Sequence, residues 1–186
     1  DFYVFKSFDL KKNKKISTNL NEFNFVDILG VSKVNDYLIL SVNEKKLNSK
    51  CGNLKILYAE ISYSFLKFDN FYTFDEKCLK NIVGGRVEKY NFKSDDGFLI
   101  TTGAYGEENL SIPQDESNYY GKIIFFDLNK RKPIIFSKGH RNPQGLFVGK
   151  NVILSTEHGD YGGDEINNII YGQNYGYPIS SYGEKY

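Results

Sequence analysis

The sequence predicts an all-β fold, and three observations support this prediction. Short apolar or alternating runs rich in Ile, Val, Phe, Tyr and Leu recur along the chain, as is typical of strands. Clusters of Asn, Asp, Gly and Lys separate these runs and indicate turns. Aromatic residues make up 16% of the chain, with 15 Tyr and 15 Phe, which favours pleated, half-buried surfaces over helix interiors. No stretch keeps a helical period for three turns.

A repeated unit refines the fold prediction to a β-propeller. Each unit is a polar turn followed by an apolar strand that ends in a small hydroxyl residue, and it occurs at 35–41, 96–102 and 149–156. The spacing of roughly 50 to 60 residues matches a four-stranded propeller blade. Three units cannot close a ring, since propellers need at least about four blades. We therefore expect a partial propeller domain over 1–186 with about three blades, and a self-contained β-sandwich is the alternative.

The individual strands are predicted from the same apolar runs and their bounding turns. They are 26–29, 37–42, 54–62, 71–74, 98–102, 122–127, 133–136 and 152–155. Predicted turns between them include 33–36, 94–97, 128–131 and 148–151.

Charge and hydropathy exclude two classes of partner. The chain has 24 Lys and Arg against 23 Asp and Glu, so its net charge of +1 gives no field that would gather nucleic acid or anionic lipid. The longest apolar run, at 37–40, is far shorter than the roughly 20 residues of a membrane helix. We expect neither a nucleic-acid partner nor a membrane span.

The chain termini and cysteines carry two further expectations. The sequence opens with Asp1 and contains no Met, so we expect a processed product or a piece of a longer chain, with the rest of the ring beyond residue 186. Cys51 and Cys78 are the only cysteines. A disulfide between them would stabilise the fold by about 2–4 kcal/mol in an oxidising compartment. Two buried thiols are the alternative.

Three motifs in the second half of the chain carry a family resemblance. They read GHRNPQGL at 139–146, GGDEIN at 162–167 and GQNYGYP at 172–178. Their order and spacing resemble those of the glucose/sorbosone dehydrogenases, six-bladed propellers that oxidise sugars with pyrroloquinoline quinone (PQQ) and calcium. The resemblance is clearest over 84–186, whereas the first eighty residues match only as blade-like strands.

The resemblance implies that Arg141 and Asn142 contact the PQQ cofactor. A planar tricarboxylate calls for a guanidinium that can grip a carboxylate with two hydrogen bonds. From the residues alone, the same run is also typical of a loop with a surface salt bridge.

The resemblance also implies two calcium sites. The backbone carbonyls of Gly159 and Asp160 would hold the calcium that binds the cofactor, while Glu165 and the Tyr175 carbonyl would hold a second, structural calcium. Calcium takes six to eight oxygen ligands, many of them carbonyls and carboxylates, which this loop offers. A solvated turn that binds nothing is the alternative for the acidic residues.

The pattern breaks at the catalytic base. The family's histidine stands four residues before the arginine of the Gly-Arg segment, which is Ile82 here. The aspartate that orients it follows a Thr-x-Gly strand end, and Ala104 occupies that position. Neither side chain can ionise, so the usual proton abstraction is lost. A smaller departure is Asp160, where the family usually has proline.

Three functions follow as expectations. The resemblance implies a PQQ- and calcium-dependent oxidoreductase that acts on an aldose or a similar alcohol, in the periplasm or outside the cell. The lost dyad favours the alternative of a non-catalytic propeller that binds a sugar, a glycan or a protein. A structural propeller without a ligand is the third reading, because fold does not imply function.

Overall fold

A computed structural model describes residues 2–5, 13–45, 52–75, 84–104 and 111–183. Within these ranges the chain forms strands and a single three-residue 3-10 helix, Leu20–Glu22. The same ranges contain no helix with the length and apolar character needed to cross a membrane. Ile82, Cys51 and Cys78 lie outside the described residues, so the disulfide stays a prediction.

The strands pair into four sheets. The strands are β1 (Phe2–Phe5), β2 (Asn13–Thr18), β3 (Phe25–Val34), β4 (Tyr37–Lys45), β5 (Gly52–Glu60), β6 (Phe65–Leu66), β7 (Asp69–Thr73), β8 (Gly84–Phe92), β9 (Asp95–Thr102), β10 (Lys122–Asp127), β11 (Pro133–Lys138), β12 (Pro143–Val148), β13 (Ile153–Glu157) and β14 (Glu165–Asn168). Sheet 1 has the order β3-β4-β5-β7, sheet 2 is β8-β9-β10-β11, and sheet 3 is β12-β13-β14. A small N-terminal sheet has the order β1-β2-β6.

The eight predicted strands are confirmed, and each repeated unit occupies the same place in its sheet. The units correspond to β4, β9 and β13, the second strands of sheets 1, 2 and 3. Within sheets 1, 2 and 3 the described neighbours are antiparallel. A series of antiparallel sheets fits the predicted blades and does not fit the alternative of two facing sheets.

Some boundaries and strands differ from the prediction. The turn predicted at 94–97 is formed by Lys93 and Ser94, which take positive φ values of 49° and 70°. Strand β9 therefore begins at Asp95, inside the predicted turn. Strands β8, β12 and β14 are not among the predicted ones. In β8, for example, polar residues occupy the exposed positions between the apolar ones. They interrupt the run of apolar residues by which a strand is recognised in the sequence. Glu165, which we expected in a loop, begins β14.

The core lies between consecutive sheets. Successive residues of β9 and β10 alternate sides, so that Phe98, Ile100 and Phe126 pack toward sheet 1. Leu99 and Phe125 pack toward sheet 3. Because both faces of sheet 2 are covered, β10 is apolar at four consecutive positions and buried throughout. Burial of two faces therefore explains the continuous apolar run that predicted this strand.

The first strands of the sheets lie side by side, β8 between β3 and β12. A Cβ at Gly30 would stand 2.3 Å from the Gly85 carbonyl oxygen, so the approach of β3 to β8 requires glycine there. The buried hydroxyl of Ser41 donates to the Gly85 carbonyl. The equivalent hydroxyl of sheet 2, Thr101, donates to the Pro143 carbonyl at 2.8 Å. The small hydroxyl residue of the repeat thus links each sheet to the next.

Candidate functional site

The motif residues meet at one end of sheet 3. The loop 139–142 joins β11 to β12, the loop 158–164 joins β13 to β14, and the segment after β14 folds back on the first loop through Tyr177 N–H, which donates to the Gly139 carbonyl at 3.0 Å. Residues of all three segments line one cleft. They are Gly139, Arg141, Glu157, His158, Gly159, Glu165, Tyr175, Tyr177, Ser180 and Ser181.

A buried pair of His140 and Glu157 forms the floor beneath these loops. His140 is fully buried, and its Nδ1 lies 2.6 Å from Glu157 Oε1 while its Nε2 lies 2.8 Å from Ser137 Oγ. The imidazole also stacks on the Tyr175 ring, with centroids 4.7 Å apart. The pair ties the 139–142 loop to the end of β13 and to the returning segment.

The environment of Glu157 keeps its carboxylate charged. Burial by itself raises the pKa of this group, but hydrogen bonds from His140, from Asn167 Nδ2 at 3.2 Å and from Arg141 N–H at 3.3 Å outweigh it. The pKa of Glu157 therefore lies below its usual range. Since the same carboxylate accepts the Arg141 N–H, Glu157 also fixes the backbone from which the predicted cofactor arginine projects.

The Arg141 guanidinium is held by the neighbouring loop. Its Nε donates to Asp160 Oδ1 at 2.6 Å, and one terminal nitrogen donates to the His158 carbonyl at 3.1 Å. Both side chains are part-buried, with relative exposures of 24% for Arg141 and 9% for Asp160. The two residues were predicted to serve different ligands, PQQ and calcium. The structure brings them into a single ion pair.

The second predicted cofactor residue has an unsatisfied atom. Asn142 Oδ1 is buried and accepts no hydrogen bond from any described residue. The backbone carbonyl of Asn142 is used, accepting from His158 N–H at 3.2 Å. Buried polar atoms are nearly always satisfied by protein or water, so an unsatisfied amide oxygen in the residue that follows Arg141 fits a site with a polar ligand, although Asn142 is not among the residues that line the cleft.

The predicted calcium residues border the same cleft. Gly159, Glu165 and Tyr175 line it, and Asp160 lies next to Gly159. The Tyr175 hydroxyl donates to the Asn168 carbonyl at 2.6 Å, and the role of the Tyr175 carbonyl as a metal ligand stays a prediction. Across the described ranges, no three His, Cys, Asp or Glu side chains form a cluster suited to a metal. A calcium site here would therefore draw on backbone carbonyls, which calcium accepts readily.

Of the two positions of the expected catalytic dyad, only Ala104 lies within the described residues. Ala104 N–H donates to the Arg141 carbonyl at 2.6 Å, so this position lies directly beside the predicted cofactor arginine. A methyl group there cannot orient a base. Ile82 lies outside the described residues, so its place relative to the cleft stays a prediction.

Sequence reasoning missed the role of Glu157. The residue ends an apolar strand and stands in a motif, yet a glutamate at a strand end is typically solvated. Its burial depends on His140, seventeen positions earlier in the chain, on the far side of β12. The one available signal was that a histidine and a glutamate each sat at a sheet end.

Comparison with known proteins agrees with this arrangement. A model of the Glucose / Sorbosone dehydrogenase family matches residues 35–186. The chain belongs to this family. A family relative, Aldose sugar dehydrogenase YliI of Escherichia coli (strain K12), is 29% identical over 163 residues. That match covers 79% of this chain and 43% of the relative, so the chain spans less than half of that protein.

Solved structures of glucose and aldose dehydrogenases share the fold. A glucose dehydrogenase superposes with a TM-score of 0.75 at 22% identity, covering 97% of this chain and 58% of the other. The PQQ-bound aldose sugar dehydrogenase of Streptomyces coelicolor gives a TM-score of 0.66 at 22% identity, covering 85% and 50%. Sheets 1, 2 and 3 are therefore blades of a partial six-bladed propeller, as the repeat predicted.

Proposed function

We propose that the full-length protein binds PQQ and calcium at the cleft of sheet 3 and oxidises an aldose or a similar alcohol. The observation that carries the proposal is the convergence of Arg141, Gly159, Glu165 and Tyr175 on one cleft. These residues come from three segments of the chain. If the motifs matched the family without forming a common site, the residues would not be expected to line the same cleft. The orphaned Asn142 oxygen beside Arg141 adds support.

Each residue has a defined part in this proposal. The Arg141 guanidinium would bind a carboxylate of the cofactor, and Asn142 would offer its buried amide oxygen to a donor. The carbonyls of Gly159 and Asp160 would hold one calcium, while Glu165 and the Tyr175 carbonyl would hold another. When bound, PQQ supplies the acceptor for the two electrons that leave the alcohol carbon. Glu157 and His140 hold the loop that presents Arg141.

The proton of the alcohol needs a base from outside the family's usual dyad. Ala104, which has only a methyl group, lies at the expected aspartate position. A base would therefore have to come from another residue of the full-length protein. The periplasm or the cell exterior is the proposed location, by analogy with the family.

A non-catalytic propeller that binds a sugar, a glycan or a protein is the second candidate. The contact between Ala104 and the Arg141 carbonyl favours it, because a residue that cannot ionise lies next to the backbone of the predicted cofactor arginine. On this reading the calcium residues and the scaffold persist while proton abstraction is lost. The two candidates differ in whether the quinone is reduced when sugar is added.

The test is a titration of the full-length apo-protein with PQQ, with and without calcium, followed by addition of aldoses. We expect saturable binding that requires calcium, and quinone reduction when a suitable sugar is added. Arg141→Gln is the matched variant, because it keeps a polar side chain at this position and removes the positive charge. Binding without reduction by any aldose would favour the non-catalytic candidate. Absence of binding by the folded protein would reject the PQQ proposal.

A further inference from the structure

The guanidinium predicted to bind the cofactor already faces a carboxylate of its own chain. Asp160 Oδ1 accepts from Arg141 Nε at 2.6 Å, the distance of a charge-assisted hydrogen bond. The Asp160 side chain is only 9% exposed, so water screens this pair less than it would a surface pair. In charge and in geometry, the Asp160 carboxylate stands where a ligand carboxylate would bind Arg141.

The backbone of the 158–164 loop holds Asp160 in this place. Gly162 and Gly163 take positive φ values of 74° and 71°, which fold the loop back on itself. A Cβ at Gly159 would lie 2.3 Å from the Gly162 carbonyl oxygen, and one at Gly183 would lie 2.9 Å from the Asp160 nitrogen. The chain is thus packed closely on both sides of Asp160. Its carboxylate is presented to Arg141 by a compact loop and not by a freely rotating segment.

A second acidic residue of the loop serves as a comparison. Asp164 Oδ1 accepts from Gly159 N–H at 3.0 Å, and Oδ2 lies 3.5 Å from His158 Nδ1. The Asp164 side chain is 69% exposed. Asp160 and Asp164 carry the same charge within one loop, and of the two it is Asp160 that is bonded to the Arg141 guanidinium.

We propose that Asp160 is a built-in competitor for the ligand carboxylate at Arg141 and so sets the affinity of this site for anionic ligands. The inference rests on the proposed function. An incoming carboxylate must displace Asp160 from Nε or share the guanidinium with it, and in either case two negative charges meet at one cation. A ligand that offers a neutral acceptor to Arg141 meets no such repulsion. The site therefore selects against a multiply charged cofactor unless calcium offsets the added charge.

The test compares PQQ dissociation constants of the full-length wild-type protein, Asp160→Asn and Asp164→Asn at saturating calcium. Both substitutions are isosteric and remove one negative charge from the same loop. We expect Asp160→Asn to bind PQQ at least about tenfold more tightly, the gain of one charge-assisted interaction that no longer has to be broken. Asp164→Asn should change the dissociation constant by less than about threefold, because exposed charges are screened.

A double-mutant cycle shows whether the effect passes through Arg141. In an Arg141→Gln background, Asp160→Asn should improve PQQ binding no more than Asp164→Asn does. Calcium-dependent binding by the wild type with equal dissociation constants in both Asn variants would overturn this inference and leave the proposed function standing. Absence of PQQ binding in all folded variants, Asp160→Asn included, would overturn the proposed function and the inference together.

Discussion

Sheets 2 and 3 share a blade pattern but are stabilised in different ways. Sheet 2 lies between sheets 1 and 3, and all six residues of β10 are buried. Sheet 3 has exposed residues on β12 and β14, and its buried members include Ser155 and Glu157. The apolar core of the described chain thus centres on sheet 2, whereas the polar groups of the candidate site gather at sheet 3.

The difference shows where a propeller can place chemistry. Strand interiors between two blades are mostly apolar, since an unpaired polar group there costs free energy. Loops at the sheet ends need not be apolar, and Arg141, Asp160 and Glu165 all lie in or beside such loops. A sheet end can keep a buried, hydrogen-bonded polar pair only if other groups satisfy it, as Ser137 and Asn167 do around His140 and Glu157. Four predictions test this division.

The largest expected effect is loss of an aromatic side chain from sheet 2. Phe126 is fully buried and lies within 6.0 Å, between ring centroids, of Phe71, Tyr72, Phe74 and Phe98. Phe126→Ala should lower the free energy of unfolding by about 4 kcal/mol through lost burial and a cavity. Denaturant unfolding measures it. Phe126→Leu, the control, should cost clearly less. A loss below about 1 kcal/mol would contradict the central role of sheet 2.

Next in size is the polar floor of sheet 3. Glu157→Ala should lower the free energy of unfolding by about 3 kcal/mol, because it leaves the buried His140 Nδ1 without its acceptor and removes one of the two carboxylates that accept from Asn167 Nδ2. Glu157→Gln, which keeps an acceptor oxygen at the same reach, should cost less. Chemical denaturation of both variants checks this. If the two variants were equally stable, the hydrogen bonds of Glu157 would not be what holds the floor.

The sequence predicted sheet 2 better than sheet 3 for the same physical reason. Two-sided burial gives β9 three and β10 four consecutive apolar residues, and turn residues bound both strands, so both are readable locally. Strands β12 and β14 border solvent and motif loops, and their mixed composition conceals them. The three repeated units were found because each contains the apolar second strand of its sheet, and in sheets 1 and 2 a hydroxyl of this strand links it to the next sheet.

The sequence predicted residues of the site but not the bonds that these residues make with each other. The resemblance assigned Arg141 to PQQ and Gly159, Glu165 and Tyr175 to two calcium ions, and in the structure all four residues line one cleft. The Arg141–Asp160 pair was not predicted, because a motif assigns each residue to a ligand and is silent on bonds between residues. The role of Glu157 as a buried hydrogen-bond acceptor was not predicted, for a similar reason. It depends on a histidine from another loop, and single-sequence patterns do not report such contacts.

A buried cation inside sheet 2 gives the third prediction. Lys122 is fully buried, and its ammonium donates to the carbonyls of Ile112 at 2.8 Å and Tyr120 at 2.7 Å. Burial lowers the pKa of Lys122 from 10.5 to about 8. Above pH 8 the unfolded chain therefore binds more protons than the folded chain, so stability should rise with pH, by at most about 1.4 kcal/mol per pH unit.

The measurement is the free energy of unfolding from about pH 8 to about pH 9.5, below the range in which tyrosines titrate. The nearby charged groups Asp115, Glu116 and Lys138 are unchanged in the matched variant, Lys122→Met. This variant should be less stable overall, since two carbonyls lose a donor, and should lack the rise. A rise of equal slope in Lys122→Met would assign it to other groups.

The smallest expected effect concerns the link between the two sheets. Thr101 Oγ1 accepts from Arg86 N–H at 3.0 Å and donates to the Pro143 carbonyl at 2.8 Å, joining β9 to the first strand of sheet 3. Thr101→Val keeps the shape but removes both bonds in a buried position, and should lower the free energy of unfolding by about 1–2 kcal/mol. Thr101→Ser keeps the hydroxyl and should preserve the bonds. Hydrogen exchange of the Arg86 amide then tests whether the loss arises at this link. Faster exchange in Thr101→Val than in Thr101→Ser places the effect at the link, whereas equal exchange in the two variants would show that the hydrogen bonds of the hydroxyl are not its cause.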